Sequence, residues 1–133
     1  MSNLWIAYTD GASRGNPGLA GCGVHILAPD GSEHHFKLFL GEKTNNQAEY
    51  QGLILALKEL VRLKAAKVLV RADSEFMIRQ MIGQYRVKNE KILPLYQEAK
   101  VLAASIPSLN FEHVRREFNK MADQLANESI DER

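Results

Sequence analysis

The first forty residues constrain the possible folds most, because they carry three strand-like segments and no helical periodicity. Apolar, aromatic and β-branched residues dominate 4–9, 21–28 and 33–40. Glycine, asparagine and proline interrupt the pattern over 10–18, and the Pro-Asp-Gly-Ser sequence at 29–32 predicts a tight hairpin. The chain is therefore predicted to open with three antiparallel strands.

The rest of the chain alternates between helix and strand patterns. Apolar residues recur at three- and four-residue spacing over 46–64, which predicts a long amphipathic helix. Short apolar runs at 67–72 and 110–114 predict a buried strand and a last strand. Further helices are predicted at 74–84 and 92–105, and Pro94 is compatible with an interruption of the second. An apolar stripe predicts a final helix, and it consists of Phe118, Met121, Ala122, Leu125 and Ala126.

The predicted element order is β-β-β-α-β-α-α-β-α. Three hairpin-linked strands, followed by strands that alternate with helices, indicate an α/β (α+β) fold in which helices flank a five-stranded mixed sheet. A chain of 133 residues has the size of one ordinary domain, and it contains no internal repeat, low-complexity run or linker. We therefore treat 1–133 as a single domain.

The composition excludes several classes of protein. The 17 lysines and arginines and 16 acids give a formal net charge of +1, which excludes coating of nucleic acid by charge alone. The single cysteine, Cys22, excludes an internal disulfide framework and a cysteine-based zinc knuckle. The sequence shows no secretion signal, and no stretch approaches the ~20 apolar residues of a membrane span. We expect a cytoplasmic monomer without a membrane partner.

Four carboxylates lie at the boundaries of the predicted elements. Asp10 and Asp73 end strands, Glu49 lies in the first turn of the long helix, and Asp123 lies near the start of the last helix. Reactive groups collect where strand ends and helix starts meet. Adjacent strands would place Asp10 beside Asp73, and a divalent cation is the usual remedy for such repulsion. Oxygen ligands favour Mg²⁺ or Mn²⁺ over zinc.

Each acid also has a purely structural interpretation. Glu49 has the spacing of a capping box, and Asp73 fits an N-cap for the helix that follows it. Asp123, after an Asn119 cap, would complement the helix dipole, and Asp10 would belong to a turn. Spacing alone leaves these interpretations open.

Four segments, in this order along the chain, resemble ribonuclease HI. They are Thr9-Asp10-Gly11-Ala12-Ser13-Arg14-Gly15-Asn16-Pro17-Gly18, Thr44-Asn45-Asn46-Gln47-Ala48-Glu49-Tyr50, Ala72-Asp73-Ser74 and Arg116-Glu117-Phe118-Asn119-Lys120-Met121-Ala122-Asp123. The resemblance implies a ribonuclease H-like fold over essentially the whole chain. It also implies endonucleolytic cleavage of the RNA strand of RNA/DNA hybrids, which leaves 5′-phosphate and 3′-hydroxyl ends.

The resemblance implies roles for the four acids. Asp10, Glu49, Asp73 and Asp123 match the family's metal-binding acids, and Asp10 would touch both of two Mg²⁺ ions, for which Mn²⁺ could substitute. In the family's mechanism one ion generates the attacking hydroxide from water, and the other stabilises the leaving 3′-oxygen. The agreement between boundary positions and motif matches outweighs four separate caps.

Substrate contacts follow from the same resemblance. The implied substrate residues are Gly11, Ala12, Ser13, Asn16, Thr44, Asn45, Asn46 and Ser74. The first three, with Glu49, would face ribose 2′-hydroxyls, which distinguish RNA from DNA. The three asparagines would bridge both strands through the minor groove, although helix capping is an alternative for Asn45 and Asn46. Thr44 would help bind a DNA-strand phosphate. Ser74 precedes Glu75, where many relatives have glutamine.

The chain departs from many bacterial members because it lacks their long basic protrusion. The segment 82–91 carries Arg86, Lys88 and Lys91 against Glu90 and leads directly into the next helix. This segment is compatible with a reduced substrate handle, in which Tyr85 would pack along the DNA strand. It is equally compatible with a solvated turn. The resemblance is therefore to a short variety of the family, with weaker non-specific binding and a shallower salt dependence.

Many members have a histidine, in a mobile loop before the last acid, that aids product release. Counting back from Asp123 places His113 at that position. The local pattern Val-x-Arg-Glu-x-Asn instead resembles a shorter variety in which an arginine follows the last strand. We favour the second alignment, in which Arg116 approaches the scissile phosphate and His113 is a strand residue.

The other histidines are expected to be ordinary strand residues rather than ligands. His34 and His35 are adjacent, so they point to opposite faces of a strand, and His25 lies on the preceding strand.

The sequence thus predicts a Mg²⁺- or Mn²⁺-dependent hybrid-specific ribonuclease. The alternatives are a non-catalytic nucleic-acid-binding domain on the same fold and a related nuclease that also cleaves double-stranded RNA. The four intact acids argue against the binding domain, because acids oppose the binding of a polyanion.

Overall fold

A computed structural model describes residues 3–133 of the chain. The strands are β1 (Trp5–Ser13), β2 (Gly18–Leu27), β3 (Glu33–Lys43), β4 (Lys67–Ala72) and β5 (Ser108–His113). The helices are α1 (Asn45–Arg62), α2 (Glu75–Met81), α3 (Leu93–Ala104) and α4 (Lys120–Asp131), and a short 3₁₀ helix spans Arg116–Phe118. The strands form one sheet in the order β3-β2-β1-β4-β5. The predicted fold class and element order are confirmed.

The register of the central strands determines which loops meet. β1 pairs antiparallel with β2 and parallel with β4, while β3 and β5 form the edges. Thr9 of β1 is level with Ala72, the last residue of β4. Asp10 and Asp73 therefore follow directly after paired residues of two neighbouring strands.

Helices cover both faces of the sheet, and two glycines permit close approach of helix backbone to the strands. A Cβ atom at Gly11 would lie 2.2 Å from the backbone carbonyl carbon of Ala48 in α1. A Cβ atom at Gly23 would lie 2.4 Å from the carbonyl oxygen of Ala122 in α4. Gly11 and Gly23 are offset by one position in the β1–β2 register, so they face opposite sides of the sheet. The main core lies on the α1 face, where buried leucines of α1 contact β-branched residues of β2 and β4.

The first turn is shorter than predicted. β1 continues to Ser13 and β2 begins at Gly18, so only 14–17 connect the strands instead of 10–18. β3 likewise runs to Lys43 rather than residue 40. The reason is that Gly11 serves close packing within a strand and not a turn, a distinction that composition alone does not reveal.

Helix boundaries differ from the predictions for local backbone reasons. α1 begins at Asn45 and ends at Arg62, just before Lys64 adopts a φ of 59°. α2 ends at Met81, before Gly83 with its φ of 84°, and not at residue 84. Pro94 lies in the first turn of α3 and does not interrupt it.

The prediction for Phe118 was wrong. The residue is 66% exposed and belongs to the 3₁₀ helix, whereas α4 begins two residues later at Lys120. The apolar stripe of α4 therefore starts after Phe118. Within residues 3–133, no helix is both long and apolar enough to cross a membrane.

The structure corrects the capping interpretations of the acids and asparagines. Thr44 and Gln47 form the capping box of α1, with bonds of 3.2 Å and 2.8 Å between side chains and backbone N–H groups. Neither Glu49 nor the Asn45–Asn46 pair caps that helix. Ser74, not Asp73, caps α2, because its Oγ accepts the Met77 N–H at 3.3 Å. Glu49 and Asp73 therefore have no capping function.

Candidate active site

Three of the four predicted acids converge at one end of β1. Asp10, Glu49 and Asp73 each offer a carboxylate oxygen, and these oxygens lie within 4.8 Å of one another. Asp10 is only 3% exposed and Glu49 8% exposed. Asp123, in the first turn of α4, lies close enough to Asp10 to raise the pKa of the Asp10 carboxyl. Elements distant in sequence thus bring all four acids to one place.

Close packing of α1 on β1 fixes the Glu49 side chain. The Gly11 N–H donates to Glu49 Oε1 at 2.6 Å and to Asp10 Oδ1 at 2.9 Å. Glu49 Oε2 is buried and accepts no hydrogen bond from the described residues. Burying a carboxylate oxygen without a hydrogen-bond partner costs free energy. A ligand bound to this oxygen would remove that cost.

Asn119 supports the acids in a way that the sequence did not indicate. It was predicted to cap α4, but its side chain makes no capping bond. Instead its buried Nδ2 donates to the Thr9 carbonyl at 2.9 Å and to Asp73 Oδ2 at 3.3 Å. Asn119 therefore ties β1 to Asp73. Its place before α4 offered no signal of this role, which depends on the tertiary contact.

The site carries strong electrostatic repulsion. Burial, and then the charge of Glu49, raise the pKa of the Asp10 carboxyl from 3.8 to about 11. Burial also raises the pKa of Glu49, from 4.5 to about 7, although the Gly11 hydrogen bond and the charge of Arg116 act to lower it. Neighbouring carboxylates cannot all ionise without compensating positive charge. The oxygen-only donor set and the unpartnered Glu49 Oε2 fit a hard divalent cation.

The predicted substrate residues lie at the same end of the sheet as the acids. Gly11, Ala12 and Ser13 form the last residues of β1, and Ser13 Oγ donates to the Lys43 carbonyl at 2.8 Å. Asn16 Oδ1 accepts the Asn45 N–H at 3.2 Å, which joins the β1–β2 turn to the start of α1. The Thr44 and Ser74 hydroxyls serve as helix caps, and Asn46 follows in α1.

A groove lies between the start of α1, the helix α2 and the segment that follows α2. It has a volume of about 620 Å³ and includes Asn46, Phe76, Tyr85, Arg86 and Lys88 among its lining residues. The Phe76 and Tyr85 rings lie 5.7 Å apart and both are partly exposed. The sequence identified Tyr85 as a candidate contact and missed Phe76, whose spacing is that of an ordinary helix residue.

A family model and solved structures both match almost the whole chain. A family model described as reverse transcriptase-like matches residues 8–129. The structure of ribonuclease H1 from Halobacterium salinarum superposes with a TM-score of 0.93 at 34% identity, over 98% of this chain and 99% of that one. The chain belongs to the ribonuclease HI family.

Two further members of the ribonuclease HI family are informative. A bifunctional protein of Mycobacterium tuberculosis is 43% identical over 95% of this chain, but the chain spans only 35% of the length of that relative. A ribonuclease H1 from compost, solved in complex with an RNA/DNA hybrid, has a TM-score of 0.89 at 41% identity, over 96% of this chain and 97% of that one.

The alternatives for the ribonuclease HI loop histidine lie in different settings. His113 is the exposed last residue of β5, level with Ala72, as predicted for a strand residue. Arg116 lies in the 3₁₀ helix, and its positive charge lowers the pKa of Glu49. Arg116 therefore acts electrostatically on the acid group.

Proposed function

We propose that this chain hydrolyses the RNA strand of RNA/DNA hybrids endonucleolytically, leaving 5′-phosphate and 3′-hydroxyl ends. Asp10, Glu49, Asp73 and Asp123 would hold two divalent ions, Mg²⁺ or, in its place, Mn²⁺. The observation that carries this proposal is the convergence of three carboxylates within 4.8 Å, one with a buried unpartnered oxygen.

The residues of the chain divide the work around the bound ions. Divalent ions in such a site supply an activated water nucleophile and neutralise charge on the leaving oxygen. Asp10, which adjoins the other acids, would help to hold the ions, while Gly11 binds one Glu49 oxygen and leaves the other free. Asn119 donates a hydrogen bond to Asp73 and so restricts its side chain. Arg116 would approach the scissile phosphate, in preference to His113.

Selection of a hybrid would depend on the residues at the end of β1. Gly11 contacts Glu49, and Ala12 and Ser13 follow it in β1, so that these residues would meet ribose 2′-hydroxyls. The bond between Asn16 and Asn45 presents amide groups at the same edge, with Asn46 next in α1. Thr44 would contribute to a phosphate pocket, and Ser74, next to Asp73, would contact the substrate. The compost relative solved with a hybrid supports this choice of substrate.

We also propose that residues 1–133 act as a single domain and as a cytoplasmic monomer. The continuous sheet across all strands supports the single domain. The one cysteine, Cys22, is free and buried, which is compatible with a reducing compartment.

The proposal is tested by offering the full chain labelled RNA/DNA hybrid, double-stranded RNA and DNA duplex, with Mg²⁺ or with EDTA. We expect cleavage of the hybrid alone, and only with Mg²⁺. Absence of cleavage despite hybrid binding would favour a non-catalytic binding domain. Equal cleavage of double-stranded RNA would contradict hybrid specificity.

A further inference from the structure

A second group of potential metal ligands lies on the outer strands of the sheet. Tyr8 of β1 is level with His25 of β2, and His25 is level with His35 of β3. Directly opposite residues of neighbouring strands share a face of the sheet, so these three side chains form a row. Glu33 lies two residues before His35 and therefore shares that face.

The three ligand atoms are close enough to bind one ion. His25 Nε2 lies 2.7 Å from Glu33 Oε1, and His35 Nε2 lies 3.8 Å from the same oxygen. One nitrogen from each histidine and a carboxylate oxygen of Glu33 lie within 4.8 Å of one another. The two imidazole rings are 4.8 Å apart and meet edge to face.

We propose that His25, Glu33 and His35 bind a divalent transition-metal ion of the Zn²⁺ class. Two imidazole nitrogens and one carboxylate are a donor set that suits zinc, and three protein ligands leave a position for water. This site is separate from the acid group, whose donors are all oxygens. The inference does not depend on the proposed nuclease activity.

The surroundings hold the ligands in place. The His25 side chain is only 14% exposed, and its ring stacks on Tyr8 at 5.8 Å with an interplanar angle of 22°. Tyr8 OH accepts a bond of 2.9 Å from Arg71 Nη1, and Arg71 Nε pairs with Glu112 at 2.7 Å. Stacking against the hydrogen-bonded Tyr8 therefore restricts the orientation of the His25 ring.

The charge of Glu33 is directed at the histidines. Its ion pairs in the described part of the chain are with His25 and His35. The half-exposed His35 gives an ion access from solvent.

The chain provides a matched control. His34 neighbours His35 but is level with Ile26 and lies near Trp5, with ring centroids 6.3 Å apart, on the other face of β3. Loss of His34 removes an imidazole without removing a proposed ligand. The expectation from the sequence that His25, His34 and His35 are ordinary strand residues is thus revised for His25 and His35 only.

The test is calorimetric titration of the full, untagged chain with Zn²⁺ in excess Mg²⁺, which keeps the acid group occupied. We expect one Zn²⁺ per chain, and at least ~10-fold weaker binding in His35→Ala and in Glu33→Gln. His34→Ala and Asp10→Asn should bind as the wild type does. Co²⁺ in place of Zn²⁺ should give visible absorption that His35→Ala loses.

Three results would overturn the site. These are no saturable Zn²⁺ binding, equal affinity in His35→Ala and the wild type, and loss of binding in Asp10→Asn. The last would mean that Zn²⁺ binds the acid group instead. Because none of these results reports on RNA cleavage, the metal site and the nuclease activity succeed or fail separately.

Discussion

At the scale of single residues, Asp10 has a carboxyl pKa that the site raises further than that of Glu49. Burial and the carboxylates around it raise its pKa to about 11, so its negative charge is unfavourable without a cation. The unfolded chain releases this proton near pH 3.8, whereas the folded, metal-free chain retains it. The folded state thus binds more protons over the intervening range, and stability without metal falls as the pH rises above about 4.

Asp10→Asn should therefore stabilise the metal-free protein while removing its metal-dependent activity. At about pH 8 we expect a rise of roughly 3–6 °C in Tm, corresponding to about 1 kcal/mol, because the variant no longer has to take up a proton at this position when it folds. Mg²⁺ should raise the Tm of the wild type and leave that of the variant almost unchanged. Thermal unfolding with Mg²⁺ and with EDTA measures both effects. A variant that is less stable without metal, or that keeps near-normal kcat, would contradict the assigned site.

Asn119 is a positioning residue whose effect passes through Asp73. Asn119→Ala removes its bonds to Asp73 and to the Thr9 carbonyl, so we expect about 1–3 kcal/mol of lost stability and about 10- to 100-fold lower kcat with a raised Mg²⁺ requirement. The control is Ser129→Ala, which removes a buried bond to Ala126 within α4. If both variants lose stability but keep the kcat and the Mg²⁺ requirement of the wild type, Asn119 has only a structural role.

Arg116 and His113 are distinguished by separate substitutions. Arg116→Ala should lower kcat about 10- to 100-fold, because its charge acts at the acid group where phosphate would lie. His113→Ala and Arg115→Ala should change kcat by less than about 3-fold. Arg115 is the matched control because it is exposed and pairs with Glu117 at 3.8 Å. A larger effect at His113 would reverse the alignment.

Sequence position revealed the acids but not their support. Asp10, Glu49 and Asp73 stand at predicted element boundaries, where reactive groups collect, but these positions left helix capping open as an alternative. The resemblance to ribonuclease HI motifs was needed to favour a metal-binding role. Asn119 resembles a helix cap, and only the fold shows that its amide turns inward to Asp73. His25 and His35 become neighbours only through strand register, which spacing does not fix.

At the scale of elements, close contacts between helices and strands position the acids. α4 approaches β2 at Gly23, where an added Cβ would lie 2.4 Å from the Ala122 carbonyl oxygen and 2.6 Å from the Ala126 nitrogen. Both neighbours are backbone atoms, so the helix itself must shift. Because α4 carries Asp123, such a shift would move an acid away from Asp10.

Gly23→Ala should therefore reduce stability by about 1–3 kcal/mol and lower kcat as well. Gly31→Ala is the comparison: its Cβ meets nothing within 4 Å, but its φ of 87° imposes strain of roughly 1–2 kcal/mol far from the acids. Denaturant unfolding and initial rates on hybrid measure the two effects. Equal kcat in the two variants at similar stability would show that α4 packing does not position the site.

Element order was predictable because the hydrophobic periods of strands and helices differ clearly along the chain. Element boundaries and helix caps were less predictable. Asp73 and Ser74, for example, are adjacent and both are favourable N-cap residues, but only Ser74 caps α2. The turn after β1 was overestimated because glycine serves equally for turns and for close packing. Gly11 belongs to the second case.

At the scale of the whole molecule, the net charge of +1 is compatible with a polyanionic substrate because charge is distributed locally. The acids are gathered at one end of the sheet, where cations would offset them. The exposed Arg86 and Lys88 line the groove that also includes Phe76 and Tyr85. Substrate attraction would then arise from bound metal and a few basic residues rather than from a basic surface.

The most direct test of the central claim is an analysis of which strand is cut and which end groups form, using a hybrid labelled separately on each strand. Hydrolysis by a metal-activated water predicts cuts in the RNA strand only, with 5′-phosphate and 3′-hydroxyl ends, in Mg²⁺ and not in EDTA. Cuts in the DNA strand, cleavage that persists in EDTA, or 2′,3′-cyclic phosphate ends would contradict it.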